Sequence, residues 1–220
     1  MRREFAVIGL GRFGGSICEE LSKEGMRVLA VDINEQRINE FKSIALHAVI
    51  ADSTDEQALK ALGIQNMDHV IVAIGDNIQA SILTTVILSE LGTKRITVKA
   101  QNDYHEKILN KIGADVVVHP ERDMGKRLAH SLMSNNIIDY LELSEEHSMV
   151  EVKSGRQMIG KNLIELDIRA VYGCNVVAIR RQNDMIISPE PTLTIKAEDI
   201  LVILGADEDI SRFEKDLIID

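Results

Sequence analysis

The residues with the clearest chemical potential form a glycine-rich loop near the start of the chain. Gly9, Gly11 and Gly14 have the spacing GxGxxG, follow a short apolar run and open an amphipathic stretch. In such a loop the first glycine permits a tight turn, the second lets a phosphate approach the backbone, and the third lets the helix pack against the strand. Free amides and the helix dipole stabilise the phosphate. The loop predicts a nucleotide-binding site, although the same glycines could serve packing alone.

An acidic residue stands where such a site needs one. Asp32 ends the next predicted strand, where its carboxylate can accept hydrogen bonds from both hydroxyls of a ribose. The same negative charge would repel a 2′-phosphate, which disfavours NADP as the ligand. Phe13 in the loop and Asn34 just after the acid belong to the same predicted site.

Further site residues follow from topology, since nucleotides bind over the carboxyl ends of parallel strands. The segments after the third and fourth predicted strands should bracket the adenine; they contain Asp52, Ser53, Thr54, Ile74, Gly75 and Asp76. For Asp52 and Thr54, capping of the following helix is the alternative role. Lys99 ends the fifth strand, where its ammonium group can bind a phosphate or simply be solvated.

Two charged residues need a further explanation. Arg12 lies within the glycine loop beside the expected pyrophosphate, and its side chain is long enough to reach a third phosphate or a neighbouring subunit. Glu121 follows the sixth predicted strand and is a candidate ligand for a divalent cation or a partner for Arg12. The alternative for Glu121 is a solvated acid at a helix N-terminus, where acids are favoured.

The sequence offers no recognisable catalytic constellation. Its six histidines form no HxxxH or HExxH pattern, and it contains neither a GxSxG elbow nor a GxxxxGK[ST] loop. The C-terminal region also provides no clear general acid or base for a dehydrogenase. We therefore expect a binding protein rather than an enzyme. An NAD-dependent oxidoreductase on the same fold is the alternative.

Composition narrows the class further. The chain of 220 residues is 45% hydrophobic and 27% charged, which suits a globular protein with a sizeable core. Its net charge of −10 and 3% aromatic content argue against nucleic acid as a partner. Cys18 and Cys174 lie in apolar stretches and are expected to be buried thiols in a reducing compartment. No apolar run approaches a membrane span, and the N-terminus leads directly into a strand. We therefore expect a cytosolic protein that acts on a membrane only through a partner.

Hydrophobic periodicity predicts two domains. Up to Pro120, apolar runs alternate with amphipathic stretches, which predicts a Rossmann-like doubly wound parallel sheet, an α/β fold. Its predicted strands are 5–10, 27–32, 47–52, 69–75, 95–100 and 115–120, and its predicted helices are 13–24, 35–45, 55–62, 77–91 and 103–112. Residues 121–140 are predicted to form a crossover helix, with a hinge at Asn135 and Asn136.

Residues 141–220 are predicted to form a small α+β domain with antiparallel pairing. The predicted strands are 147–152, 175–181, 185–189 and 199–205, with helices near 161–170 and 207–217. A turn at Gln182, Asn183 and Asp184 makes 175–189 a predicted hairpin.

Several segments together resemble a known family, the regulatory subunits of bacterial Trk/Ktr potassium uptake systems, which are built from RCK (regulator of K⁺ conductance) domains. The resemblance covers nearly the whole chain and is strongest to the Ktr branch. It rests on FAVIGLGRFGGS (5–16), VIVAIGDNIQAS (70–81), VKAQNDYHEKIL (98–109), KIGADVVVHPERDMGKRLA (111–129) and LDIRAVYG (166–173).

The resemblance implies homodimers assembled into an octameric ring beneath an integral-membrane potassium transporter subunit. It also implies ATP or ADP as ligands, with NAD or NADH typical of the Trk branch. Arg12 resembles the arginine that senses the γ-phosphate, and Glu121 resembles an acid associated with a cation between subunits, a divalent ion or sodium. The residues that would form the family's nucleotide site are Gly9, Gly11, Arg12, Gly14, Asp32, Asp52, Thr54, Gly75, Lys99 and Glu121.

Related C-terminal domains can bind cyclic di-AMP at a dimer interface. The residues that match the corresponding segment are Leu163, Ile164, Asp167, Arg169, Asn175 and Pro189. Arg169 is the natural phosphate partner. Packing at a homodimer interface would explain the same residues equally well.

Overall fold

The protein, described here from a computed structural model, consists of two compact units divided between Pro120 and Glu121. The structure describes residues 3–133, 137–144 and 146–218. The first unit contains six strands, β1 Glu4–Ile8, β2 Arg27–Asp32, β3 His47–Ile50, β4 His69–Val72, β5 Ile96–Lys99 and β6 Val116–Val118. Its helices are α1 Arg12–Lys23, α2 Glu35–Phe41, α3 Glu56–Ala61, α4 Ile78–Glu90 and α5 Asp103–Lys111, with a 3₁₀ turn at Ile64–Asn66.

The predicted doubly wound sheet is confirmed. All pairings are parallel, in the order β3-β2-β1-β4-β5-β6. Successive side chains of a strand point to opposite faces, and each face here has its own core. Ala6 and Ile8 pack in a cluster with Leu59 and Leu88, whereas Val7 belongs to a cluster on the other side. Burial on both faces explains why the central strands β1, β2 and β4 are almost wholly apolar, whereas β3 and β6 at the edges are less buried.

The strand order changes direction at β1, which lies between β2 and β4. Ile8 is in register with Val31 on one side and with Val72 on the other. The loops that follow β1, β2 and β4 therefore leave the sheet at the same edge. In open α/β sheets this switch point is where ligands bind.

The second unit is an antiparallel sheet with short helices. Its strands are β7 Ile137–Ser144, β8 His147–Lys153, β9 Asn175–Arg181, β10 Asp184–Ile187 and β11 Ile200–Ala206, in the order β10-β9-β11-β8-β7. Its helices are α6 Pro120–Met133, which begins at the boundary, and α7 Leu163–Leu166, α8 Ile168–Tyr172 and α9 Asp207–Leu217. The predicted hairpin is confirmed by the antiparallel β9 and β10. Phe213 and Tyr172 meet edge to face in its core.

Two predictions for this unit were wrong in detail. The predicted helix over 121–140 ends at Met133, and Ile137–Ser144 is a strand paired with β8. As an edge strand, β7 lacks the regular alternation that identifies a strand from sequence. The predicted helix over 161–170 is two helices, because Asp167 adopts a left-handed conformation at φ +42°. The predicted hinge residues, Asn135 and Asn136, lie outside the described residues.

Contacts within the second unit hold α6 to the strand that follows it. Arg127 forms a bidentate ion pair with Asp139, and the rings of His130 and Tyr140 stack with centroids 4.1 Å apart. The arginine lowers the pKa of the Asp139 carboxyl through this hydrogen bond. Across the described part of the chain, every helix is too short or too polar to cross a bilayer.

Candidate functional site

The glycine loop has the geometry of a phosphate cradle. Gly9 has φ +92°, and a Cβ there would lie 3.0 Å from the Ala73 carbonyl carbon; at Gly14 it would lie only 1.9 Å from the Gly9 carbonyl oxygen. Gly11, the residue before α1, is different, because a Cβ there would meet no atom within 4 Å. The first and third glycines are thus required for packing, and the second borders the open space at the helix N-terminus. That space suits an anion.

Asp32 connects the end of β2 to this loop. Its side chain is 5% exposed, and its Oδ2 accepts a 2.7 Å hydrogen bond from the Leu10 backbone amide. Its Oδ1 accepts from the Asn34 amide at 2.8 Å, and Arg37 Nη1 lies 3.4 Å from Oδ2. A carboxylate has about four acceptor positions, so it retains capacity for ribose hydroxyls. The role of Asp32 in holding the loop, and the presence of Arg37, were not predicted.

The segment after β3 folds back on itself. Asp52 Oδ1 accepts hydrogen bonds from the Thr54 amide at 2.9 Å and from its hydroxyl at 2.7 Å. These bonds lower the pKa of the Asp52 carboxyl, the hydroxyl bond having the larger effect. The alternative role as helix caps is not what the structure shows, because Asp55 caps α3 through bonds from the amides of Gln57 and Ala58.

The neighbouring strand ends bring further predicted residues into the same region. The Lys99 ammonium lies 5.9 Å from the centre of the Phe13 ring, and Gly75 is close to the same ammonium. Ile74 and Asp76 lie in the loop after β4, half-buried and exposed respectively. Asn34 caps α2, because its side chain accepts from the amides of Gln36 and Arg37. Its predicted contact with a nucleotide therefore competes with a structural role.

The remaining predicted residues of this region are both charged. Arg12 is the first residue of α1 and is exposed. Glu121 lies in the first turn of α6 and belongs to the second unit, so its role toward a nucleotide or a cation stays a prediction. A different group, Asp103, Glu106 and His119, brings donor atoms within 4.8 Å of one another. A 2.8 Å contact between His119 Nε2 and a Glu106 carboxylate oxygen accounts for much of that proximity.

The second unit contains a separate cleft, with a volume of about 250 Å³. It is lined by Leu163, Ile164, Asp167, Ile168, Arg169, Cys174, Asn175, Val176 and Pro191. Five of the six residues that resemble a second-messenger site are therefore brought together. The sixth predicted residue, Pro189, is not among the lining residues, and Pro191 lines the cleft in its place.

Local structure shapes this cleft. Asn162 and Glu165 form a reciprocal capping box on α7, and the Ile164 amide donates to the Pro191 carbonyl at 3.2 Å. Among the lining residues, all within the described ranges, Arg169 is the one cation and Asp167 the one anion. Burial raises the pKa of the Cys174 thiol to about 11, so this thiol is protonated and unreactive at neutral pH.

Comparison with known families agrees with this architecture. The TrkA-N domain matches residues 5–120, and the TrkA-C domain matches residues 147–217. The parallel sheet with its glycine-loop crevice and the antiparallel unit with its cleft correspond to these two domains. Fold and site together define a two-domain RCK-type regulatory protein.

Individual relatives identify the branch. Ktr system potassium uptake protein C of Bacillus subtilis (strain 168) is 65% identical over 215 residues, 98% of this chain and 97% of the relative. Ktr system potassium uptake protein A of the same organism is 54% identical over 214 residues, 97% of this chain and 96% of the relative. The chain belongs to the family of Ktr regulatory subunits of potassium uptake. These relatives regulate a membrane potassium transporter subunit and are not enzymes.

Solved structures support the fold. The GsuK channel matches with a TM-score of 0.71 at 16% identity, over 100% of this chain but only 40% of its own. The GsuK channel bound to NAD matches with a TM-score of 0.52 at 25% identity, over 97% of this chain and 38% of its own. This chain therefore spans about two fifths of the length of those channel chains.

Proposed function

We propose that this chain binds ATP and ADP in the crevice of the first unit and thereby controls the activity of its potassium transporter partner. The observation that carries the proposal is the open space in front of Gly11, bordered by the N-terminus of α1 and by the exposed Arg12. Backbone amides there suit a β-phosphate, and a guanidinium at the helix start suits a further phosphate. In the proposed complex, Asp32 would accept hydrogen bonds from the ribose hydroxyls.

Control requires that the two nucleotides be distinguished and not merely bound. A ligand shifts a conformational equilibrium only by its differential affinity for the two states. Arg12 would supply this difference by binding the γ-phosphate, which ADP lacks, from its own subunit or from a neighbouring one. The expected consequence is a change in the angle between protomers of a dimer, within an octameric ring at the cytoplasmic face of the membrane.

An alanine substitution at Arg12 tests this role. Loss of a charge-assisted hydrogen bond should weaken ATP binding about tenfold or more, while ADP binding changes less than about threefold. Calorimetric titration of the full chain gives both affinities, and small-angle scattering reports whether ATP and ADP still produce different assemblies. Lys23→Ala is the matched control, because Lys23 is an exposed cation at the other end of α1 that pairs with Glu20.

Contrary results are easy to recognise. Equal loss of ATP and ADP affinity in the Arg12 variant would contradict γ-phosphate recognition. Identical scattering of the unmodified protein with the two nucleotides would contradict the switch. NAD is the competing ligand, since one solved structure with a similar fold is the GsuK channel bound to NAD. If the protein oxidised NADH with a carbonyl substrate, the proposed regulatory function would be wrong and the protein would be an oxidoreductase.

We also propose that cyclic di-AMP binds the cleft of the second unit. The cleft combines apolar side chains with one arginine, which suits an adenine beside a phosphate. Its volume of about 250 Å³ is small for a whole dinucleotide. Two copies of the cleft, facing each other across a two-fold axis, would match the two-fold symmetry of the ligand. Titration should give one cyclic di-AMP per two chains; absence of binding, or one ligand per chain, would contradict this arrangement.

A further inference from the structure

Helix α4 carries three fully buried hydroxyl side chains in an otherwise apolar setting. Ser81, Thr84 and Thr85 are each 0% exposed. Thr85 donates to the Ser81 carbonyl at 2.7 Å, a bond that stays within the helix. Thr84 is different, because its hydroxyl leaves the helix and reaches the segment after β3. A buried hydroxyl is costly unless it is hydrogen-bonded, so the partner of Thr84 matters.

The partner is Ser53, through two contacts. The two hydroxyl oxygens are 2.8 Å apart, and Thr84 Oγ1 also lies 3.2 Å from the Ser53 carbonyl oxygen. Each hydroxyl has one proton to donate. Thr84 therefore donates to the Ser53 carbonyl, and Ser53 donates its own proton to Thr84 Oγ1. Both protons are used, and the pair is buried.

These contacts tie a short loop to α4, in addition to a backbone hydrogen bond from the Asp55 amide to the Asp52 carbonyl. The segment from Asp52 to Thr54 belongs to no strand or helix, and Asp52 Oδ1 bonds only within it. Ser53 is 8% exposed with its side chain turned toward α4, whereas Asp52 is exposed and Thr54 half-buried. Ser53 was predicted to contact the nucleotide. That contact stays a prediction. The Ser53 hydroxyl donates its proton to α4, and Asp52 and Thr54 on either side of it are the other predicted contacts of the base.

We propose that Thr84 is a positioning residue: through Ser53 it holds Asp52 and Thr54 against the adenine and so sets the preference of the site for adenine over guanine. This inference rests on the proposed binding of ATP. Adenine presents an amino group where guanine presents a carbonyl oxygen, and the Asp52 carboxylate can accept only from the former. Discrimination of this kind depends on how tightly the loop is held.

Three variants of the full chain test the inference. Thr84→Val keeps the shape and removes the hydroxyl, Thr84→Ser keeps the hydroxyl, and Thr85→Val is the matched control from the same buried face. Each is titrated with ATP and with GTP. Thr84→Val removes the hydrogen bond that holds the loop, and the free energy of about one hydrogen bond should be lost from ATP binding. We therefore expect the Kd for ATP to rise about fivefold and the Kd for GTP to change less than about twofold. Thr84→Ser and Thr85→Val should keep the ATP preference of the unmodified protein.

The outcomes separate the two proposals. Failure of the unmodified protein to bind ATP would overturn the proposed function, and this inference with it. ATP binding combined with an equal loss for ATP and GTP in Thr84→Val would show a merely structural role and overturn the inference alone, as would an unchanged preference. Should Thr84→Val fail to fold, Ser53→Ala removes the other hydroxyl of the same pair. This variant should likewise reduce the preference of the site for ATP over GTP.

Discussion

The candidate site of the first unit is formed mainly by backbone groups, whereas that of the second unit is formed by side chains. In the first unit the crevice is made of backbone: a glycine loop, a helix N-terminus and a carboxylate bonded to a loop amide. In the second unit the cleft is made of side chains from two short helices and two neighbouring segments. A binding site built from backbone groups needs particular residues at fixed spacing, and it can therefore be predicted from a sequence. A side-chain site needs a fold to assemble it.

The largest expected effect tests whether the first site is really made of backbone. Gly14→Ala places a methyl group 1.9 Å from the Gly9 carbonyl oxygen, and that oxygen cannot move without shifting the loop. We expect a loss of about 3 kcal/mol or more in the free energy of unfolding, together with loss of ATP binding in a calorimetric titration. Chemical denaturation of the full chain measures the first quantity.

Gly11→Ala is the control for that substitution. Its methyl group meets nothing within 4 Å, so stability should change by less than about 0.5 kcal/mol while ATP affinity falls. Two variants with the same stability loss would mean that the glycines differ less than the geometry indicates.

The next effect, equal to the lower limit of the first, concerns the buried ion pair between Asp199 and Arg181 in the second unit. Asp199 is 1% exposed and receives two hydrogen bonds from Arg181, at 2.8 and 2.7 Å, and one from the Lys196 amide. Asp199→Asn leaves the arginine without its charged partner, and we expect a loss of about 3 kcal/mol in the free energy of unfolding at neutral pH. Asp184→Asn, an exposed acid on β10, is the control and should be neutral.

The same pair predicts a pH dependence. Burial acts to raise the pKa of Asp199, but the hydrogen bonds from Arg181 and Lys196 outweigh it and hold the pKa below its usual value. A lowered pKa in the folded state stabilises the protein above the unfolded pKa, near ~3.9, and this contribution is lost as pH falls toward the folded pKa. The stability gap between the unmodified protein and Asp199→Asn should therefore narrow below about pH 4. A gap independent of pH would contradict the ionised state of Asp199.

The third and smallest effect tests whether a substitution in the cleft of the second unit changes ligand binding there without changing ATP binding in the first unit. Arg169→Ala removes the one cation among the residues that line the cleft in the described structure. Loss of a charge-assisted hydrogen bond of about 2 kcal/mol should weaken cyclic di-AMP binding about thirtyfold and leave ATP affinity unchanged. Parallel titrations with both ligands measure this. A matching loss of ATP affinity would show that the arginine acts on the whole fold and not on one site.

Sequence reasoning succeeded where local pattern and local structure coincide. The six parallel strands and their helices were predicted because each strand is a largely apolar run, most clearly in β1, β2 and β4, which are buried at the centre of the sheet. It failed where tertiary contacts decide. The first half of strand β7 was included in the predicted helix over 121–140 and the rest was given no element, since an edge strand with mostly exposed side chains lacks a clear period of two. The break at Asp167 was missed because a left-handed aspartate has no sequence signal as strong as glycine.

Within the candidate sites, too, residues defined by local sequence pattern were predicted and residues defined by tertiary contacts were missed. Gly9, Gly11, Gly14 and Asp32 were predicted from spacing alone, and in the structure Asp32 is bonded to the Leu10 amide within the glycine loop. Capping of α3 was considered for Asp52 and Thr54 as an alternative role and not for Asp55, because several oxygen-bearing side chains follow one another there. Thr84 was not identified at all. Its one visible signal is a cluster of hydroxyl residues within an apolar helix, which sequence alone does not distinguish from ordinary helix packing.

The bond from Asp32 to the Leu10 amide has a consequence for how a nucleotide enters. Asp32, which would bind the ribose, already accepts a hydrogen bond from the glycine loop that would bind the phosphates, and it does so without a ligand. Little ordering of the chain is then needed at this spot, so its entropic penalty for binding is small. In the proposed switch, the binding energy of the phosphate tail would then be available for rearranging one subunit against another.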